Sequence, residues 1–196
     1  MNLAELQTEV YAITNRPDLA DRTLSAIRSA TLFLHQKDFY WKDLKEQGIV
    51  FNTEGYLQQF EYRSLFPRFR SISYTRKTDI NLYDQGEIFD IIQPTNVVDD
   101  YRANRTNVCY AAGAVLQYRS STSFQYAILG FYENPDITLA TYTSWIALDH
   151  PFAIVYRAAA QIFKSIGNTE EWNAWTQMAN QQAQEIDISN IEARGI

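Results

Sequence analysis

The order of two residue periodicities along the chain constrains its fold more than any other feature of the sequence. Near both ends, apolar residues recur at three- and four-residue spacing, which is typical of helices that bury one face. Between the ends, from residue 49 to about residue 132, β-branched and aromatic runs separated by turn residues are typical of strands. Because strands and helices do not alternate, the sequence predicts an α+β fold and not a parallel sheet.

Two helices are predicted near the N-terminus. The first covers residues 2–13, and the second begins at Pro17, whose fixed φ suits the first turn of a helix. Each has one apolar stripe, formed by Leu3, Leu6, Val10 and Ile13 in the first helix and by Ala20, Leu24, Ile27, Thr31 and Leu34 in the second. The aromatic segment that starts at Asp38 ends the second pattern and is expected to pack against the core.

Two further helices are predicted after residue 134. One begins near Pro151 and stops at Gly167, and the next opens with Asn168 and Glu171 at the spacing of a capping box. Two such helices form a helical hairpin. The tail after about residue 185 has only weak helical periodicity, so we expect it to be mobile and to serve in docking.

The strand-rich middle is predicted to contain two tight turns. Residues 84–86 (Asp-Gln-Gly) and 120–123 (Ser-Ser-Thr-Ser) have the composition of hairpin turns, and residues 94–101 are read as one helical turn. The predicted organisation is therefore a single domain, residues 1–196. Its helical parts cover about 1–46 and 136–190, and its β-rich insert covers about 47–134.

Composition limits the classes of partner. The formal net charge is −6, so the protein as a whole repels polyanions unless a local basic patch overrides the average. Its longest apolar runs are far shorter than the roughly 20 residues that cross a bilayer. The first ten residues lack the pattern of a secretory signal, so we expect a soluble protein that is made in the cytoplasm.

The inventory of reactive residues disfavours an enzyme. Motifs for phosphate loops, zinc proteases and serine hydrolases are missing, and His35 and His150 are the two histidines. His150, at the predicted start of a helix, fits a capping role, and His35 fits a structural role at a helix end. Cys109, inside an apolar strand pattern, is predicted to be a buried and inert thiol. Asp99 and Asp100 alone are weak evidence for a cation site, so no catalytic residue, metal or cofactor is predicted.

A basic and aromatic cluster in the middle of the chain allows three interpretations. It consists of Arg63, Arg68, Arg70, Arg76 and Lys77, interleaved with Phe66, Phe69 and Tyr74. Such a stripe could bind nucleic acid, but strand alternation would also place Arg68 and Arg70 on one face and Phe69 on the other, as in a half-exposed sheet. The third interpretation is an interface with an acidic protein partner, because interfaces are rich in arginine and aromatic residues.

Three segments resemble one family of phage proteins. They are YAITNRPDLADRTLSAIRSATLFLHQKDFYWKDL (11–44), FEYRSLFPRFRSISYTRK (60–77) and WIALDHPFAIVYRAAAQIFKSIG (145–167). In residue pattern and in order along the chain they are similar to the head-to-tail adaptor (connector or neck) proteins of tailed bacteriophages. The resemblance implies a helical bundle formed by the N- and C-terminal helices with an inserted antiparallel β-rich region. It also implies a homo-oligomeric ring, commonly a dodecamer, beneath the portal.

The resemblance also implies a location and partners. The protein would lie at the head–tail junction of the virion and contact further copies of itself, the portal protein and a tail tube or nozzle protein. Genomic DNA would pass through the ring during ejection without specific binding, and no membrane or cofactor would be involved. The residues that we expect at interfaces are Arg63, Phe66, Arg68, Phe69, Arg70, Arg76, Ile188 and Ile191.

The acidity of the chain is consistent with such a conduit, because phosphate contacts with Lys and Arg supply most nonspecific affinity for DNA. We therefore hypothesise that some carboxylates line the channel, among them Glu87, Asp90, Asp99 and Asp100. The nearest alternative is another neck or tail-completion protein of the virion, and contact with the portal would distinguish the two. A cytoplasmic enzyme that uses tyrosines and carboxylates is the more distant alternative.

Overall fold

The structure, a computed structural model, describes residues 1–79, 86–97, 105–138 and 142–193, with only the backbone described at residues 192 and 193. The chain is α+β and divides into two compact units. The helical unit comprises Met1–Asp43 and Asn134–Ile196, and the β unit comprises Leu44–Glu133. The predicted limits of the insert, about residues 47 and 134, lie close to these boundaries.

The helical unit contains five α-helices in its described residues. These are α1 (Leu3–Thr14), α2 (Ala20–Lys37), α3 (Trp145–Asp149), α4 (Pro151–Ser165) and α5 (Thr169–Ala193). Two short 3₁₀ helices, Pro17–Leu19 and Trp41–Asp43, precede and follow α2. The four predicted helices are confirmed as α1, α2, α4 and α5, whereas α3 was not predicted.

Local signals in the sequence set the helix ends. Asn2 and Glu5 form a reciprocal capping box at the start of α1, and Asn15 ends that helix in the left-handed conformation, with φ 50°. Pro151 occupies the first turn of α4, where its missing N–H costs no hydrogen bond. Gly167 follows α4 with φ 77°, which only glycine adopts without strain. The predictions at Pro151 and Gly167 are confirmed.

The core of the helical unit is organised around α4, which contacts α1, α2, α3 and α5. Its buried residues cover more than one face: Ala153, Ile154, Val155, Ala158, Ala159, Ala160, Ile162 and Phe163. Alanines let neighbouring helices approach closely, and the branched residues fill the space between them. Residues from both ends of the chain therefore build one hydrophobic core.

Two predictions for the helical unit are wrong in detail. On α2, Ala20 is exposed and Leu24 is only half-buried, because the face toward the core is centred on Ile27 and Thr31 and includes small residues such as Ala26 and Ala30. The tail after residue 185 is helical as far as Ala193.

Two residues of α5 hold this tail in place. Asp187 accepts hydrogen bonds from Lys37 Nζ at 2.5 Å and from the Tyr40 hydroxyl at 3.1 Å. Asn190 is buried and accepts from the backbone N–H of Trp41 at 3.4 Å. Polar anchors therefore fix a segment whose apolar periodicity is weak.

The β unit is a single sheet of five strands in its described residues. They are β1 (Leu44–Glu61), β2 (Phe69–Thr78), β3 (Asp90–Ile91), β4 (Val108–Ala112) and β5 (Val115–Glu133). The long strand β5 is central, with β1 antiparallel along one side and β2 and β4 antiparallel along the other. The prediction of antiparallel pairing is correct for these pairs, but β3 pairs with β4 in parallel.

The predicted turns need correction. Residues 120–123 lie inside β5, and the register between β1 and β5 shifts close to them, between Gly55 and Leu57. The real hairpin joins β4 to β5 through Gly113 and Ala114, and Gly113 has φ 66°. Residues 84 and 85 lie outside the described residues, and so do residues 98–101 of the predicted turn at 94–101, in which Pro94–Asn96 forms a 3₁₀ helix.

The core of the β unit is largely aromatic. Its buried residues are Ile49, Phe51, Tyr62, Phe89, Cys109, Leu116, Tyr118, Phe124, Ala127, Leu129 and Phe131. The rings of Phe51, Phe89 and Phe124 meet Tyr118 edge-on, with ring centroids 5.2 to 6.2 Å apart. One curved sheet with its long strands can thus bury a core of its own.

The close approach of Tyr74 to Gly130 gives a test of this packing. The two residues are paired across β2 and β5, and a methyl group on Gly130 would overlap the Tyr74 ring. We expect Gly130→Ala to lower the free energy of unfolding by about 1–3 kcal/mol, measured by urea denaturation. In a Tyr74→Ala background the same substitution should cost much less, and equal costs in the two backgrounds would contradict this explanation.

Candidate assembly interface

Two of the predicted interface residues belong mainly to the core of the β unit. Phe66 and Phe69 are half-buried, with ring centroids 4.6 Å from Phe131 and 4.4 Å from Tyr62, respectively. They hold the segment between β1 and β2 against the sheet. Their exposed parts can contribute to an interface only at its margin.

The predicted arginines do not form one uniform basic patch. Arg68 pairs with Glu133 at 3.1 Å, and Lys45 pairs with the same carboxylate at 2.5 Å. Arg63 is exposed beside Tyr62, with its guanidinium 5.4 Å from the ring centroid. Arg70 and Arg76 lie on β2 and are half-buried. The arrangement gives little support to a continuous nucleic-acid stripe.

The structure describes two of the four carboxylates that were predicted to line the channel. Glu87 is exposed, but Lys77 Nζ donates to it at 2.7 Å and Asn107 Nδ2 donates at 2.5 Å. Lys77 itself is buried, so this pair neutralises a cation that would otherwise be costly. Asp90 is exposed on β3, and residues 99 and 100 lie outside the described residues.

Ile188 and Ile191 are exposed on α5, by 57% and 52%. They are three residues apart, so they lie on one side of the helix. The neighbouring Asp187 and Asn190 are held by polar contacts, as described above. The two isoleucines are therefore presented to solvent by an anchored helix, which suits an apolar contact with a partner.

Three exposed residues of β1 were missed by the sequence analysis. Val50, Tyr56 and Leu57 are exposed by 66%, 60% and 66%. They lie on both sides of the register shift in β1, where the alternation of inward and outward residues changes phase. Uniform alternation from the buried Ile49 and Phe51 would place Leu57 on the buried face, so the change of phase hid its exposure.

The main chain of β1 forms a further exposed feature, which we call the β1 edge: the side of Leu44–Glu61 that faces away from β5. In the described parts of the chain, β1 pairs with β5 and with no other strand. Its 18 residues include no proline, the residue that commonly blocks such an edge. The β1 edge therefore has backbone donors and acceptors that a further strand could satisfy.

A buried polar cluster lies in the helical unit and consists of His35, Asp43 and Trp145. His35 Nδ1 donates to the Asp43 carboxylate at 2.9 Å, and Trp145 Nε1 donates to it at 2.7 Å. His35 and Asp43 are only 1% and 5% exposed, so a substrate cannot reach them. The cluster joins α2, the 3₁₀ helix before β1, and α3. Its geometry favours a structural role.

The cluster refines the predictions for the two histidines. His35 lies in the last turn of α2, as predicted, and its Nδ1 bonds to the Asp43 carboxylate. His150 occupies the N-cap position of α4 without a side-chain capping bond, so the capping prediction is wrong. Its neighbour Asp149 pairs with Lys42 at 2.6 Å, and Ser144 caps α3.

Two other kinds of site are absent from the described ranges. No group of three or more His, Cys, Asp or Glu side chains there could hold a metal ion. No helix among those residues is both long enough and apolar enough to cross a membrane.

The buried polar cluster makes a prediction about stability. Asp43→Ala would remove the acceptor that His35 and Trp145 share inside the core, so we expect a loss of about 2–4 kcal/mol in the free energy of unfolding. Asp149→Ala is the matched control, because its pair with Lys42 is largely exposed and should contribute less than about 1 kcal/mol. Thermal and urea denaturation would measure both. Equal losses in the two variants would argue against the assigned role of Asp43.

Cys109 makes a prediction about reactivity. It lies on β4, is fully buried, and burial raises the pKa of its thiol to about 12. Because the thiolate is the reactive form, native protein at pH 8 should not react with a thiol reagent such as Ellman's reagent, whereas protein in guanidinium chloride should react fully. Rapid reaction of the folded protein would show that the β unit opens.

The features that remain as a candidate site are surfaces for contact with other proteins. They are the β1 edge with its apolar side chains and the exposed isoleucines of α5. Their partners have to be argued from the chemistry of the chain, since it matches no model of a known protein family and no curated protein.

Proposed function

We propose that the protein is a structural component of a tailed-phage virion and forms the adaptor ring between the portal and the tail. The observation that carries this proposal is the exposure of large apolar side chains on β1, a long edge strand. Such side chains in water favour association, and a strand edge adds directional hydrogen bonds to it. A chain built in this way is suited to assembly with further protein chains.

The division of the chain supports the same proposal. We infer that the helices from both ends form a bundle and that the β unit is an insert carried by it, as in the adaptor family that the sequence resembles. The paired residues Leu44 and Tyr132 bring the two ends of the insert together, so it can be carried at a single point. A rigid bundle with an inserted sheet offers separate surfaces to different neighbours.

The acidity of the protein fits a conduit for DNA. With a net charge of −6, the ring would let DNA pass, because it would have few of the cation–phosphate contacts that hold nonspecific complexes together. Of the described candidates for the channel, we retain Asp90, since it is exposed and Glu87 is already paired with Lys77. On this proposal the protein is not an enzyme and needs no cofactor.

The proposed location is the head–tail junction of the virion, after synthesis in the host cytoplasm. The portal would bind one side of the ring, and the tail tube or nozzle would bind the other. Ile188 and Ile191 on α5 are the residues that we propose for the portal contact, because they are apolar and exposed.

Electron microscopy tests this function. Purified protein would be mixed with portal rings from the genome that encodes it, and we expect added density on the tail-facing side with the rotational symmetry of the ring. The double variant Ile188→Asp, Ile191→Asp should lose this density. The control Met178→Asp, at another exposed apolar residue of α5, should keep it.

The outcomes separate the alternatives. Absence of any association with the portal, across salt concentrations, would overturn the adaptor assignment and favour another component of the virion. Association that survives in the double variant would keep the adaptor role and move the portal contact away from α5.

A further inference from the structure

The amine of Lys77, on β2, lies inside the β unit next to a side-chain amide. Lys77 is only 8% exposed, and the centroid of the Phe89 ring lies 5.6 Å from its Nζ atom. Nζ donates to Glu87 Oε2 at 2.7 Å and to Asn107 Oδ1 at 3.4 Å. A buried lysine amine is therefore held beside the carbonyl group of the Asn107 amide, which it could attack as a nucleophile.

Glu87 connects these two groups. One of its carboxylate oxygens accepts from Lys77 Nζ, and the other accepts from Asn107 Nδ2 at 2.5 Å. A carboxylate in this position can take a proton from the amine and give one to the amide nitrogen. The nucleophile and the leaving group of an amide exchange thus share one general acid–base.

Ser121, on β5, holds the oxygen of the same amide. Its backbone N–H donates to Asn107 Oδ1 at 2.8 Å, and its hydroxyl donates at 3.0 Å. Donors at the oxygen and an acceptor at the nitrogen fix which end of the Asn107 amide is which. If Lys77 attacked the carbonyl carbon, negative charge would develop on Oδ1, where the two Ser121 donors would stabilise it as an oxyanion hole does.

We propose that Lys77 and Asn107 form an intramolecular isopeptide bond, with Glu87 as the acid–base. The reaction occurs once per chain, so it is a maturation step and not an enzymatic turnover. Groups held about 3–3.5 Å apart react far faster than the same groups free in solution. Nζ is already 3.4 Å from the oxygen bonded to the carbon that it attacks. All three residues belong to the β unit, so the proposal does not rest on the adaptor function.

The atoms and charges of the reaction balance. Glu87 takes a proton from the Lys77 ammonium group, and the neutral Nζ attacks Cγ of Asn107, so that the Nζ–Cγ bond forms and charge moves to Oδ1. Glu87 then protonates Nδ2, the Cγ–Nδ2 bond breaks, and ammonia leaves as the carbonyl re-forms. The extra proton on Nζ passes through Glu87 to ammonia, which ends as ammonium. No electron is transferred to another molecule, so no oxidant or cofactor is required.

The bond ties β2 to the residue that precedes β4. Lys77 and Asn107 are 30 residues apart, and β3 lies between them in sequence. A cross-link over that distance restricts the unfolded chain and keeps the segment of Glu87 and Phe89 on the sheet. The Glu87 side chain is 49% exposed, which gives the released ammonia a route to water.

Mass spectrometry tests this bond. Purified wild-type protein would be incubated at neutral pH, denatured, weighed intact and digested with trypsin. We expect an intact mass below the sequence mass by one ammonia molecule. Trypsin does not cut after a lysine whose amine is acylated, so residues 77–102 and 106–119 should appear as one linked pair of peptides.

Three variants identify the groups that react. Lys77→Arg removes the nucleophile, and Glu87→Gln removes the acid–base but leaves an oxygen for Asn107, so both should keep the full sequence mass. Lys45→Arg is the matched control, because Lys45 also pairs with a glutamate, Glu133, at 2.5 Å, and this variant should still lose ammonia. Circular dichroism would show that each variant is folded.

The wild-type measurement is decisive by itself. Folded wild-type protein that keeps its full sequence mass after prolonged incubation would overturn the proposal. Loss of ammonia without linked peptides would overturn it as well, because it would indicate cyclisation of an asparagine alone. Linked peptides that form as fast in Glu87→Gln as in the wild type would refute the assigned role of Glu87.

Discussion

The burial of α4 is the constraint on which the helical unit depends. Every other α-helix of the unit that the structure describes, α1, α2, α3 and α5, contacts α4. Of these, α1 and α2 precede the β unit in sequence. Its run of alanines allows close packing, so larger side chains there would push its neighbours apart. The N-terminal helices therefore bury their apolar faces against a helix that follows the whole β unit in sequence. The first and last residues of the β unit must then lie close together.

The helical part of this arrangement was largely predictable, because helix ends are set by local chemistry. Pro151 and Gly167 act through their own φ preferences, so the helix ends that they set can be predicted without knowledge of any distant residue. The face of α2 was harder to predict. Thr23, Ala26 and Ala30 are buried because α2 lies close to other helices, and small side chains become core residues only when such a neighbour exists. The helix beyond residue 185 was not predicted, because hydrogen bonds from residues distant in sequence to Asp187 and Asn190 stabilise it.

The β unit was less predictable, because its register depends on pairs that are distant in sequence. The polar run at residues 120–123 has the composition of a turn, but it lies where β5 continues past the register shift of β1. The hairpin at Gly113 sits in an apolar run and was not predicted, although its glycine was the available signal. Strand pairing, and not composition, decides which of two turn-like segments reverses the chain.

The candidate interface was also hard to predict from residue types alone. Residue types drew attention to Phe66, Phe69 and Arg68, yet their strongest contacts lie within the β unit, with Phe131, Tyr62 and Glu133. The β1 edge has no residue signature, because its donors and acceptors belong to the main chain, and every strand carries them. Only the topology shows which strand is left with one neighbour. Side-chain composition can therefore indicate that a chain assembles, but the place where it does so follows from the order of its strands.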